Sequence, residues 1–136
     1  DMVLTGNDLG EMKMLQEYLA TEFEMKDLGQ LKYFLGIEIA RSKQRISLSQ
    51  RKYVLNLLAE TGLLGCKLAE TPNEMNHSLR IHPYQKPAEI NRYQRLVGRL
   101  IYLSHTRPDI AYAMSVVSIF MHNPSTKHMD AVYRIL

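Results

Sequence analysis

Between Leu35 and Ser49 the chain changes period. Leu35, Ile37 and Ile39 alternate with Gly36, Glu38 and Ala40, a polar tip at Ser42-Lys43-Gln44 follows, and Ile46 and Leu48 then alternate with Ser47 and Ser49. Residues two apart share a face of a strand, so this stretch reads as a β-hairpin with one buried face. Gly36 stands in mid-strand, where glycine costs stability. It marks either a bulge or close approach of another backbone, or a small residue lying under a neighbouring side chain.

Helical spacing surrounds the hairpin. Met2-Val3-Leu4 reads as the tail of a buried strand and Thr5-Gly6-Asn7 as a turn. Asp8 followed by Glu11 forms a capping pattern, and Met12, Leu15, Leu19 and Phe23 make an apolar stripe on a helix running to about Glu24. That stripe is expected to pack against Leu35, Ile37 and Ile39. After the hairpin, Ser49 can cap a helix with Tyr53, Val54, Leu57 and Leu58 facing inward and Gly62 as its stop. Arg51 and Lys52 occupy its first turn, where cations oppose the helix dipole and suit a bound anion. From Gly65 to Pro87 the periodicity fails, and Pro72, Pro83 and Pro87 punctuate a long connection of the kind that is usually functional or mobile.

The last third returns to helix. From Asn91 to about Ser104, Tyr93, Leu96, Val97, Leu100 and Ile101 face inward, with Arg92, Arg95 and Arg99 along another face. Thr106-Arg107-Pro108-Asp109 restarts a helix through Ile110, Ala113, Met114 and Val117 that ends at Asn123-Pro124. Ser125 or Thr126 caps a last helix, still rich in apolar residues at Leu136. We therefore expect the fold to continue beyond both ends of the sequence.

Composition narrows the class. The 136 residues are 46% hydrophobic, enough for a real core. No apolar run reaches the ~18 residues that span a bilayer, and the start lacks a basic secretion signal. Cys66 is the single cysteine, which excludes an internal disulfide. Charge is divided unevenly. Residues 1–40 hold eight acids and three lysines, a net of −5, and the remaining 14 basic and six acidic residues give +8. A basic second part suits a polyanionic partner, although composition alone favours a solvated surface.

Few residues suggest chemistry. There is no glycine-rich phosphate loop, nucleophile elbow or metalloprotease helix. His77, His82, His105, His122 and His128 lack companions at metal-ligand spacing and read as surface or satisfied histidines. Asp1 differs, because a carboxylate heading a buried strand needs a neutraliser and a divalent cation is one of few available.

DMVLTGND, YFLGIEI, ISLSQRKYVLNLLAETGL, RYQRLVGRLIYLSHTRPDIAYAMS and NPSTKHMDAVYRIL together resemble the reverse transcriptase of Ty1/copia-type retrotransposons, over essentially the whole chain and in family order. The resemblance implies an α+β fold. A palm remnant (strand stub, helix and hairpin) over residues 1–49 would be followed by the first thumb helix and a long loop over 50–90. A helical thumb and connection would occupy 91–136. In that family a Tyr-Val-Asp-Asp segment precedes the apolar run, so Asp1 is expected to be its second aspartate, a catalytic ligand of Mg²⁺, with the first lying just outside the sequence. Two such ions clamp the attacking and leaving oxygens of phosphoryl transfer. The principal ligands would be other aspartates, so this length of chain is not expected to polymerise alone. Leu35, Gly36 and Ile37 match the segment leading into the primer grip. Arg41, Lys43, Arg45, Arg51 and Lys52 become candidate phosphate contacts, and Arg107 and Asp109 a structural ion pair at a helix cap.

The implied partners are an RNA template with its DNA primer and the rest of a Pol polyprotein: fingers and early palm upstream, ribonuclease H downstream, and no membrane. The implied location is a cytoplasmic virus-like particle, with nuclear entry allowed and secretion excluded. Two rival readings stand beside this one: a stand-alone nucleic-acid-binding helical module, and a non-functional retroelement relic.

Overall fold

The change of period becomes a change of unit. The computed structural model describes residues 2–72, 79–80 and 84–136 and divides into Asp1–Ser49 and Gln50–Leu136.

In the first unit, helix α1 spans Leu9–Glu22. The Asp8 carboxylate accepts from the Gly10 and Glu11 amides at 2.8 and 3.1 Å, satisfying N–H groups that the first turn leaves open. The helix stops two residues short of the expected Glu24, with Phe23 extended. Asp27 then closes an Asx turn by accepting from the Gly29 amide at 2.7 Å. That amide, with help from Gln16, holds the Asp27 carboxyl below its usual range. Strands β1 (Tyr33–Phe34), β2 (Ile37–Arg41) and β3 (Ile46–Ser49) follow in an antiparallel sheet of order β1-β2-β3.

Three expectations for this unit are corrected. Met2-Val3-Leu4 forms no strand, since none of the described strands lies beside it to complete a ladder. Leu35 and Gly36 do not lie on a strand face. They are the central residues of a two-residue turn joining Phe34 to its partner Ile37. Their φ angles are +48° and +90°, the positive pair that a type I′ turn requires, and this explains the glycine. Finally, neither apolar face is buried: Leu15 is 46% and Leu35 63% exposed, and no described residue from 2 to 49 is buried. The hairpin itself forms as expected, with Arg41 opposite Ile46.

The second unit holds the core. Helices α2 (Arg51–Thr61), α3 (Ile90–Ser104), α4 (Ala111–Ser118) and α5 (Thr126–Ile135) pack around Leu57, Tyr93, Val97, Leu100, Val117 and Val132. Tyr93 is fully buried, and its hydroxyl donates to the Val117 carbonyl at 2.7 Å. Burial pushes its pKa up, and the bond supplies the partner that a buried phenol needs.

Helix α2 begins one residue later than expected, because Ser49 stays in the β3 ladder opposite Glu38. Gln50 takes the N-cap position, 4% exposed, with its Oε1 accepting from the Thr106 hydroxyl at 2.7 Å. Gly62 ends the helix at φ +75°, and the Leu63 amide returns to the Leu58 carbonyl at 2.8 Å. On α3 the buried arc is Tyr93, Leu96, Val97, Leu100 and Leu103. Ile101, expected inward, is 43% exposed, because it lies a further 100° around the helix from Leu100. The next helix stops at Ser118 rather than Asn123, in tight turns through Phe120 and Met121. The long connection carries no helix or strand among its described residues, and Pro83, His77 and His82 lie outside them. It ends in a clasp: the Ala88 amide donates to the Pro124 carbonyl at 2.9 Å, and the Thr126 amide to the Lys86 carbonyl at 3.0 Å.

His128 is a core histidine. Ser125 and His128 have the capping-box arrangement. The half that reaches hydrogen-bond geometry is the Ser125 amide donating to His128 Nδ1 at 2.9 Å, while Ser125 Oγ and His128 Nε2 have no partner at that distance among the described residues. The ring stacks on Phe120 at 3.9 Å between centroids. Burial pushes its pKa down, opposed more weakly by the nearby Arg80 backbone. Above about pH 6.5 the imidazole is neutral in folded and unfolded chains alike. As pH falls below that value the unfolded chain takes up the proton first, so stability is lost on the acid side. We expect the melting temperature to fall as pH drops below about 6.5. The fall should be smaller in His128→Gln, which can cap from the same position without titrating. Melts across that range check this.

Candidate nucleic-acid interface

The site residues expected from sequence fall into three groups. Asp1 lies outside the described residues. Among the described residues no group of three or more His, Cys, Asp or Glu side chains could hold a metal ion.

The second group is the sheet's two ends. Leu35, a bulky residue at positive φ, sits in a turn that presents it outward, a conformation that costs roughly 1–2 kcal/mol. Ile37, next to it, opens β2 and is half-buried. At the opposite end, Ser42 ties the tip: its amide donates to the Arg45 carbonyl at 2.8 Å and its Oγ accepts from the Arg45 amide at 3.0 Å. This local order gathers Arg41 at the end of β2 with Lys43 and Arg45 of the loop, all exposed, at one end of the hairpin. The third group is Arg51 and Lys52, exposed in the first turn of α2, which contains no acid.

Sequence reasoning missed a fourth group, the outward face of α3. Its fifteen residues include three arginines and no acid. Gly98 lies at the middle of that face, opposite the buried arc. A Cβ built on it would meet nothing within 4 Å among the described residues. Glycine inside a helix costs about 0.5–1 kcal/mol relative to alanine, and no neighbour among the described residues asks for it. Around it at helical spacing stand Gln94, Arg95, Ile101 and Tyr102. The Gln94 amide is fixed by donating to the Met121 carbonyl at 3.0 Å. Tyr102 meets Tyr53 edge-on at 5.3 Å.

Arg92, Arg95 and Arg99 line one flank of this face. The Arg92 guanidinium lies 5.8 Å from the centre of the Tyr133 ring. Arg99 donates to Glu60 of α2. That bond holds the Glu60 carboxyl below its usual range, with the Arg95 charge adding to it, and raises Arg99 in turn. A cationic flank beside a gap with no side chain is suited to a polyanion whose backbone comes close. The signal in the sequence was the pairing of an acid-free helix with a central glycine. By contrast, Arg107 and Asp109 do form the expected ion pair, at 2.7 Å, and it occupies the side chain of Arg107, the N-cap residue of the 3₁₀ turn Pro108–Ile110.

Comparison with known proteins identifies the family. The family described as reverse transcriptase (RNA-dependent DNA polymerase) matches residues 1–75. A retrovirus-related Pol polyprotein from transposon RE2 of Arabidopsis thaliana is 40% identical over 136 residues, which is all of this chain and 9% of that protein. An uncharacterized mitochondrial protein of the same plant, AtMg00810, is 39% identical over 138 residues, covering all of this chain and 56% of its own length. The retrovirus-related Pol polyprotein from transposon TNT 1-94 of Nicotiana tabacum is 36% identical over 145 residues, all of this chain and 11% of that protein. The chain thus spans less than a tenth of the first Pol polyproteins it matches. No solved structure matches it. With the family match over more than half its length and copia-type Pol relatives along all of it, the chain belongs to the reverse transcriptase family, in the branch of copia-type retrotransposons.

Proposed function

We propose that this chain grips the primer–template duplex for an RNA-directed DNA polymerase of copia type. The observation that carries the reading is the outward face of α3, with a glycine gap beside three arginines and no acid. An A-like RNA–DNA hybrid offers a wide, shallow minor groove bordered by phosphates, which is read by shape and backbone. A helix lacking a side chain at its centre can come close to such a surface while Arg95 and Arg99 reach the phosphates.

The remaining assignments follow the family. Residues 1–49 serve as late palm, 50–90 as the first thumb helix and its loop, and 91–136 as thumb and connection. The Leu35-Gly36 turn acts at the primer end, and Arg41, Lys43, Arg45, Arg51 and Lys52 supply further phosphate contacts. The partners are template, primer and the rest of a Pol polyprotein, whose carboxylates would carry the Mg²⁺ chemistry.

A salt titration of binding to an RNA–DNA hybrid tests this. Each phosphate contact made by Arg or Lys contributes a slope of about −0.9 in log affinity against log salt. Replacing Arg95, Arg45 or Lys52 by alanine should each flatten that slope by about one unit and weaken all sequences alike. Slopes unchanged in all three variants would leave the positive charge a solvated surface.

A further inference from the structure

The arginine flank of α3 is not open. Arg99 is tied to a carboxylate from another helix, and the same carboxylate lowers the net charge beside Arg95. No acid lies on α3 itself, and the carboxylate that pairs with Arg99 and feels the charge of Arg95 is Glu60 of α2.

To a guanidinium, a carboxylate and a phosphodiester are near equivalents: both present paired anionic oxygens that accept from the planar fork. We infer that Glu60 is a built-in competitor of the nucleic-acid backbone, holding Arg99 when no duplex is bound and yielding it to a phosphate when one is. The inference rests on the reading of α3 as the duplex-facing helix. The geometry makes the exchange inexpensive. The Glu60 side chain is 52% exposed and that of Arg99 33%, so the released carboxylate returns to water that it already touches. Ion pairs this exposed are weak, whereas a duplex offers several phosphates at once. Glu60 also fixes where the guanidinium waits. Tyr53 supports the arrangement from α2, its hydroxyl donating to the Arg99 carbonyl at 3.2 Å, so the backbone of α3 stays in place when the ion pair opens. The effect of Glu60 is a threshold: contact with the flank is favoured for a polyanion that can replace the carboxylate, and disfavoured for a single weak anion.

The test uses the 136-residue chain, its Glu60→Gln and Arg99→Gln variants and the double variant, each titrated with an RNA–DNA hybrid over a range of salt. Glutamine keeps the length of the Glu60 side chain and removes its charge. Glu60→Gln should bind about three- to tenfold more tightly at moderate salt, with a slope close to the parent's, because Arg99 contacts a phosphate in both bound states and only the competing carboxylate is lost. Arg99→Gln should flatten the slope by about 0.9, and adding Glu60→Gln to it should tighten binding much less than in the parent chain. Thermal melts of all variants should stay near the parent, because the pair lies at the surface. Equal or weaker binding by Glu60→Gln overturns the inference and leaves Glu60 as a positioning or merely structural partner, and so does a gain of the same size on the Arg99→Gln background. If the parent chain itself shows no salt-dependent binding, the duplex-grip reading fails, and this inference fails with it.

Discussion

Gly98→Ala should stabilise the chain, and Gly98→Leu should leave it folded while cutting duplex binding by about tenfold or more. The two results come from one observation: among the described residues, a Cβ at this position meets no neighbour within 4 Å. The fold therefore tolerates a side chain, and alanine restores the roughly 0.5–1 kcal/mol that glycine forfeits in a helix interior. Leucine is tolerated for the same reason, but its side chain stands out from the middle of the face. It would hold a duplex several ångströms away, lengthening the reach of Arg95 and Arg99 to phosphates on either side. Loss of one or two charge-assisted contacts is worth a factor of about ten or more. Urea unfolding and hybrid binding measured on the same three proteins check both halves. A Gly98→Leu variant that binds like the parent would mean that α3 does not approach the duplex.

A second large effect concerns stability. Leu100→Ala should cost about 2–5 kcal/mol, since the side chain is fully buried and its removal leaves a cavity among helices that relax only in part. That is a large share of the roughly 5–15 kcal/mol that holds a domain together. The same truncation at Leu15 should cost under about 1 kcal/mol, because that side chain is half in water already. The contrast places the core in residues 50–136, and chemical denaturation of the two variants measures it directly. Comparable losses would show that α1 packs more tightly than its exposure indicates.

Much of the fold was legible because short-range physics decides it. Asp8 and Gly62 punctuate their helices by local hydrogen bonding and by a positive φ. The hairpin around Ser42 follows from alternation, and the buried arc of α3 from helical spacing. What sequence could not show was competition between neighbours. Ser49 has an excellent capping side chain, yet its pairing with Glu38 keeps it in a strand. Leu35 continues the apolar alternation, yet the two-residue turn takes it off the sheet face. The expected packing of Met12, Leu15 and Leu19 on the hairpin failed for a different reason. Periodicity says that a face is apolar, and does not say what covers it. At the candidate site, the hairpin and α2 cations are visible from charge alone. Gly98 gains its meaning only with its surroundings: beside three arginines on an acid-free helix it is a signal in sequence, but that its place is open shows only in the fold.

Amide hydrogen exchange of the chain with and without an RNA–DNA hybrid tests the duplex grip most directly. Exchange should slow along α3 from Gln94 to Tyr102 and at the hairpin tip around Lys43, and stay unchanged at the buried residues of α4 and α5 such as Val117 and Val132. Protection confined to other surfaces, or none at salt low enough for binding, would contradict that grip.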